Sequence, residues 1–478
     1  MNISIQQKYL YKYFLLLVVL FTFFVLKGQN NIQISVSNTS VAATDSVLPF
    51  WLTANKNGII DANNAFLNVS ELFVGQDFKV KPDSKLIYSW GTKIIAAFGD
   101  KSSYNQINLA FAGISVKGWE LKGGLFNNEI HYAGLSTSNG NIAESGNARP
   151  FPKVRFSTIG YKQLPFWQNW FSYMGEYEEG ILNDKRYVDG THLHHKSFNL
   201  KFQTSATFNF QFGFEHYAMW GGKSPDENIG NLPDWENYWR YVFALPGGEN
   251  FPLTDQKNIS GNQLGTYQLK TEKEYSEFYA FAYISHPWED NSGLNWHNWP
   301  DNLIGLHINF KNRKKLVTDV VYEFTNTRQQ GIRDSIYSWD DKTGKWKMTE
   351  FDHYYNHGIY RSGFTYHQKV MSSPLFFPVS LSNSVSMGIQ SNRFFSHHIA
   401  AKGVLYEFIE WRGLLTYVQH YGTYVKPYTR VQKQISGLLE VQYLNPQFPV
   451  QIGLTAAGDV GNIIGKNLGI QLFITKKL

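Results

Sequence analysis

Phe198-Asn199-Leu200-Lys201-Phe202-Gln203-Thr204-Ser205-Ala206-Thr207-Phe208-Asn209-Phe210-Gln211-Phe212-Gly213-Phe214-Glu215-His216 alternates apolar and polar side chains almost without a break. Successive side chains of a strand point to opposite faces, so this stretch has one greasy face and one polar, charged face. The same period of two recurs at Leu86, Tyr88, Trp90, Ile94 and Phe98. It recurs at Ile304, Leu306, Ile308 and Phe310, at Val320, Tyr322 and Phe324, and at Val385, Met387 and Ile389. Val450 to Ala456 and Leu468 to Ile474 carry it to the C-terminus.

A soluble sandwich also alternates, so the decision rests on what surrounds the strands. Lys8 and Lys12 precede Phe14–Leu26, which is apolar but for Thr22, and Lys27-Gly28-Gln29 then turns polar. That pattern predicts a secretory leader over residues 1–29, too short for a comfortable helical span. The strands behind it are long and numerous, and their apolar face is rich in Phe, Tyr and Trp, as on a lipid-facing wall with aromatic girdles. The expected fold is an all-β, transmembrane antiparallel barrel of about 18 strands, up to 20, in the outer membrane of a Gram-negative-type cell.

Composition agrees. The 478 residues include 36 Phe, 29 Tyr, 14 Trp and 40 Gly, with 17% charged residues. A mean hydropathy of −0.33 is too polar for a bundle of membrane helices. There is no cysteine, which removes disulfide scaffolds, Cys-ligated metals and thiol catalysis. Loss of the leader removes three lysines and no acid from a net charge of +6, and the remaining balance predicts no nucleic-acid partner.

Read backward from the C-terminus, strands are expected near 467–475, 449–457, 434–443, 413–423, 399–410, 380–392 and 356–369. Others follow near 315–327, 302–311, 275–286, 264–272, 206–217, 195–204, 168–182, 153–163, 117–126, 105–114 and 85–99. This is an even set, as single-chain bacterial barrels require. The barrel is thus expected over 84–478, after an N-terminal segment at 30–83 that is periplasmic or leads into it. A further strand at 67–80 would need a partner near 32–38 and make twenty. With a periplasmic C-terminus, the long connections 127–152, 218–263, 287–301 and 328–355 all fall outside. Lys201, Gln203, Asn209, Gln211, Glu215, Asp319, Glu323, Arg361 and His367 are expected to face the lumen.

Motifs for chemistry are sparse. Gly221-Gly222-Lys223-Ser224 mimics the end of a phosphate loop, but Tyr217 stands where the earlier glycine is needed. Zincin and serine-hydrolase signatures are absent. His192, His194 and His195 have donor chemistry for a transition metal but read better as a solvated loop entering a strand. Asp340 to Gly344 reads as a hairpin tip. No catalytic residue, cofactor or metal site is expected.

The loops say more. Trp235, Trp239 and Arg240 lie in Leu232-Pro-Asp-Trp-Glu-Asn-Tyr-Trp-Arg-Tyr241. Trp288, Glu289, Asp290, Trp296 and Trp299 lie in His286 to Trp299. Indole faces stack on the C–H faces of sugars, while carboxylates, amides and Arg bond the hydroxyls, so these eight residues are the candidate carbohydrate contacts. Tryptophans at strand ends also serve as interfacial anchors, and for Glu289 and Asp290 bracing of the loop is the competing role.

Gly261-Asn262-Gln263-Leu264-Gly265-Thr266-Tyr267, followed by Glu289-Asp290-Asn291-Ser292-Gly293, resembles the central signature of the capsule assembly Wzi family. So does Pro49-Phe50-Trp51-Leu52-Thr53-Ala54-Asn55. The resemblance implies an eighteen-stranded outer-membrane barrel that binds capsular polysaccharide and helps hold it at the surface without turnover. It also implies a periplasmic helical bundle, for which residues 30–66 are too short and too poor in helix formers. The partners expected are surface polysaccharide, outer-membrane lipid and the barrel-assembly machinery. A porin or polysaccharide-exit channel is the alternative. Loops 218–263 and 328–355 are long enough to fold inward and close the pore.

Overall fold

The computed structural model describes residues 32–80, 84–166, 170–257, 259–289, 295–332, 337–340, 344–348, 351–378, 385 and 387–478. The expected leader at 1–29, and Asp290 among the candidate contacts, lie outside the described residues.

The wall is a closed ring of eighteen antiparallel staves. In chain order they are β1 (Gln33–Ala43), β2 (Phe66–Phe78), β3 (Leu86–Gly99), β4 (Ser103–Val116) and β5 (Trp119–Leu125). β6 runs Lys153–Thr158 and resumes at Lys162–Gln163, both parts pairing with β7 (Phe171–Leu182). Then come β8 (Thr191–Ser205), β9 (Phe208–Trp220), β10 (Asn262–Glu274), β11 (Phe278–Trp288), β12 (Asn302–Phe310) and β13 (Asp319–Asn326). β14 (Phe394–Tyr406), β15 (Ile409–Gly422), β16 (Pro427–Tyr443), β17 (Gln451–Gly461) and β18 (Asn467–Lys477) complete it. Each stave pairs with its chain neighbours, and β1 pairs with β18 from Ser35↔Lys477 to Ala43↔Gly469, so no edge is left open.

The parity read from Phe198–His216 holds. Phe198, Phe210 and Phe212 are exposed on the outside, whereas Glu215 and Asn209 are buried inside. Ile304, Leu306, Tyr322, Leu454, Leu468, Ile470 and Leu472 continue the apolar exterior, which is the wall of an outer-membrane barrel.

Two of the expected strands are corrected. Residues 356–369 and the described residues of 380–392 form no stave: segment 351–378 lies inside the barrel, with short pairings of Thr365–Tyr366 with Lys369–Val370 and of Phe377–Pro378 with Ile389–Ser391. Tyr354, Tyr355, Tyr360, Phe364, Tyr366 and Phe376 are buried there on every side, so their aromatic richness reflects a core and not a lipid face. Their places in the ring are taken by β1 and β2. The wall therefore begins at Gln33, within the segment set apart at 30–83, and the total remains eighteen. The outward positions Asn38, Ser40, Asn68 and Ser70 are polar and hydrogen-bond one another across β1 and β2, which hides the usual alternation.

Connections 44–65, 126–152, 221–261, 289–301 and 327–393 all leave from one end of the ring. The other end has short turns such as 117–118, 206–207, 275–277 and 407–408, together with the start of β1 and the end of β18. Three connections fill the lumen. In 44–65 the helical turn α1 (Phe50–Thr53) packs on the inner wall: Trp51 Nε1 donates to Thr416 Oγ1 at 3.2 Å and Phe50 N to Asp459 Oδ2 at 2.9 Å. Segment 126–152 crosses to the opposite wall, and 351–378 packs on it, Tyr355 Oη donating to the Ile142 carbonyl at 3.1 Å. Arg361 and His367 thus belong to the filling and not to the wall.

Candidate functional site

The polar inner wall is satisfied by the filling. Glu323 accepts from Ser136 Oγ, from Thr137 N at 2.8 Å, from Thr137 Oγ1 at 2.6 Å and from Tyr283 Oη at 2.8 Å. Glu215 is bonded by Asn141, Tyr217 and Thr266, with His195 Nε2 at 3.0 Å. A buried carboxylate without such donors would cost several kcal/mol. Glu176, Glu178 and His195 offer metal-ligand geometry, but Lys153 lies 3.0 Å from Glu178 and Arg155 3.3 Å from Glu176, so two cations already neutralise the group. Burial raises the Glu144 carboxyl to about 7 and lowers the Lys56 ammonium to about 8 in the cavity beside this filling.

The three histidines are not a cluster. They stand within β8, not in a solvated loop: His192 and His194 turn outward beside Trp220 and Tyr238, while His195 turns inward to Glu215. The hairpin at the 340s is present, Trp339 pairing with Trp346.

The loop after β9 folds back over the outside of the wall. Gly221 and Gly222 turn it with φ of 62° and 86°, and a Cβ on Gly222 would meet Asp189 O at 2.6 Å. A short helical turn, α2 (Tyr238–Val242), follows. Tyr241 is buried against Trp220 and Phe251, its hydroxyl donating to Pro233 O at 2.7 Å. Glu179, on the outer face of β7, gathers Trp220 Nε1 at 3.0 Å and Tyr238 Oη at 2.8 Å, with His194 Nδ1 at 3.1 Å. Burial and that carboxylate push the Tyr238 phenol well above its usual range.

This packing leaves Trp235 and Trp239 56% and 61% exposed. Trp239 stacks on Phe243, and Arg240 Nη1 donates to Pro246 O at 2.8 Å, bracing the loop. In the neighbouring loop Trp296 stacks on His286 at 4.2 Å and on Tyr267 at 5.3 Å; Trp296 and Trp299 are 46% and 55% exposed. Trp288 is instead buried between Phe214 and His216, its indole lying across Gly265, where a Cβ would come within 2.4 Å of the ring. Glu289 is also buried and accepts from the Tyr355 backbone N–H, joining the loop to the lumen filling.

The two loops meet in one band. From Trp296 the rings run through Tyr267, Phe214, Trp288, His216, His194 and Tyr238 to Trp235 and Trp239, each centroid within 6.2 Å of the next. Four of the candidate residues are therefore open to a ligand, Arg240 braces, and Trp288 and Glu289 hold the band from within. Tyr267, His286 and Glu179 were missed by sequence reasoning. The strand parity that places Tyr267 and His286 on the outer face was the available signal.

The stretch Gly261–Tyr267 accounts for much of this geometry. Gln263 bonds His216 outside, Thr266 bonds Glu215 inside, Gly265 admits Trp288 and Tyr267 supports Trp296. The family model of the capsule assembly protein Wzi matches residues 51–376, from the plug turn through the band to the lumen filling. The chain belongs to the Wzi family.

Among solved structures, the Wzi-family fold is matched by Wzi of Escherichia coli, an outer-membrane protein involved in group 1 capsule assembly and described as a carbohydrate-binding β-barrel. The TM-score is 0.59 at 13% identity, over 92% of this chain and 83% of that one. Pseudomonas aeruginosa OccD3 (TM-score 0.45, 8% identity, 94% and 92% covered) and OprD (0.46, 7%, 94% and 93%) are more distant. Compared by sequence with curated proteins, this Wzi-family chain has no match.

Proposed function

We propose that this Wzi-family barrel binds an exported polysaccharide on its aromatic band and helps retain it at the cell surface without chemical turnover. The observation that carries the reading is that two exposed indole pairs, Trp235 with Trp239 and Trp296 with Trp299, stand on neighbouring loops at the two ends of one chain of packed aromatic rings. Four exposed indoles rising from two loops suit a repeating chain better than a small solute, because successive sugars find successive faces. Family membership in capsule assembly supports the same direction, as does the carbohydrate binding described for the Escherichia coli protein. The lumen, crossed by three hydrogen-bonded segments, speaks against the porin or exit-channel reading. The partners in this reading are surface polysaccharide and outer-membrane lipid, with the barrel-assembly machinery acting during biogenesis.

The orientation that goes with it puts the long connections outside. A tag at Gly344 is then accessible to antibody on intact cells and one at Lys314 is not; the reverse pattern overturns the orientation. Binding is tested with the double variant Trp235→Ala/Trp239→Ala. It keeps heat-modifiable barrel migration but sheds polymer from the cells. Full retention of polymer by the folded variant removes these tryptophans from the site.

A further inference from the structure

Below the loop turn α2, a groove crosses the outer wall from β5 to β9. Its floor is Gly175 on β7, opposite Phe198 on β8. A Cβ placed on Gly175 would meet only Ser197 O at 3.8 Å and the Phe198 ring at 4.0 Å, so the space above it is open. One side is built by Trp119 and Phe156, whose rings stack 5.1 Å apart and within 5° of parallel. The other side is built by Phe198 and Phe214, direct cross-strand partners.

Toward the loop end the groove stops being apolar. Lys196 and Tyr177 face each other across β8 and β7, two residues above Phe198 and Gly175. The Lys196 ammonium donates to Val242 O and lies 5.6 Å from the centre of the Phe243 ring, under the descending loop. Among the described residues its one hydrogen-bonded partner is this neutral carbonyl, and an ammonium carries three donors. The charge therefore sits at the head of an apolar trough, beside the Phe243 ring.

We infer that this groove holds one acyl chain of a membrane lipid whose anionic phosphate headgroup is bound by Lys196. Three features select that occupant. The flanking outward residues Phe198, Phe210, Phe212 and Leu269 are exposed on the hydrocarbon-facing wall, so the trough opens onto acyl chains. The ring of staves leaves no free strand edge, so no peptide strand can add to it. A lysine stem lies along apolar surface with its charge at the headgroup level, where anionic lipid attracts it.

The test uses the whole barrel in nanodiscs of equal phosphatidylglycerol and phosphatidylcholine with identical chains, released for native mass spectrometry. One retained phosphatidylglycerol, favoured severalfold over phosphatidylcholine, is expected. Lys196→Gln should bring the two lipids to parity and Lys196→Arg should restore the preference. Gly175→Leu fills the trough and should reduce retention of both lipids. Equal retention by the parent and by K196Q and G175L overturns the site; should G175L fail to fold, the Gln and Arg pair decides alone. Polymer retention is read separately on the Trp235 and Trp239 variants, so failure of the lipid site and failure of the polysaccharide reading are distinct results.

Discussion

The Tyr238 hydroxyl donates to Glu179 Oε2 at 2.8 Å and so fastens the loop after β9 to the outer surface of β7. The Tyr177 hydroxyl, also on β7, bonds the same Tyr238 hydroxyl. Trp235 and Trp239 flank Tyr238, with ring centroids 5.2 and 5.3 Å from it, so this hydroxyl sets where both exposed indoles stand. Without it, the loop would keep its buried Tyr241 but lose the registration of the band.

Tyr238→Phe removes that donor and the bond to Tyr177, and leaves Trp220 and His194 at Glu179. A single hydrogen bond to a charged group contributes roughly 1.5–3 kcal/mol, and the loss should be local. Amide exchange across 235–243 should quicken while β7 and β9 stay protected. Unchanged exchange would show that Tyr241 and Trp220 anchor the loop unaided.

The unmodified protein should show no large steady conductance in planar bilayers, because Ser136 and Thr137 hold segment 126–152 on Glu323 across the lumen. Replacing Ser136, Thr137 and Glu323 together with Ala removes the clamp without leaving a buried charge, and flickering openings should follow. Large voltage-independent channels from the parent would support the porin reading instead.

Phe210 is exposed on the outer wall and Gln211 turns inward, where it accepts from Tyr161 Oη at 2.9 Å. Phe210→Arg should cost about 2–4 kcal/mol if it lies near the bilayer midplane, and Gln211→Arg much less. Unfolding from lipid vesicles in urea measures both; equal costs would place Phe210 off the lipid face.

How far the chain could be read followed from where its side chains end up. Phe198 to His216 was legible because one face meets lipid and the other meets polar filling, which forces strict alternation. Tyr354 to Phe376 was not legible, because residues buried on all sides carry no parity. β1 and β2 were obscured by Asn38, Ser40, Asn68 and Ser70, which satisfy one another on the outer face. The candidate site was partly legible. Strand order brought the two tryptophan loops close together, but which indoles stay open depended on Gly265 and Glu179, and their partners are distant in sequence.

Asp301 sits at the root of the second loop and accepts from Gln330 N at 2.8 Å, Asn326 Nδ2 at 2.8 Å and Tyr354 Oη at 3.1 Å. Burial raises its carboxyl to about 7. A raised acid binds its proton more tightly folded than unfolded, so its contribution to stability is full below the unfolded value near 4 and is lost as pH rises to about 7. Protection of 327–332 against amide exchange should therefore fall between pH 4 and 7, then level off. Asp301→Asn should flatten that profile; an unchanged slope would assign it to other groups.

The pairing of β1 with β18 constrains when the molecule can come into being. Phe50 bonds Asp459 across 409 positions, and Asn467 bonds the carbonyl of Val47. The opening strand and the plug turn that follows it thus wait for partners near the far end of the chain. The ring has no closed subset: a chain halted before β18 leaves β1 paired on one edge only, with β2, and leaves the Val47 carbonyl without Asn467, however well its middle hairpins have formed. Closure is thus a last event, in which wall and plug lock together, and any helper that holds the early strands must release them only after the final one arrives.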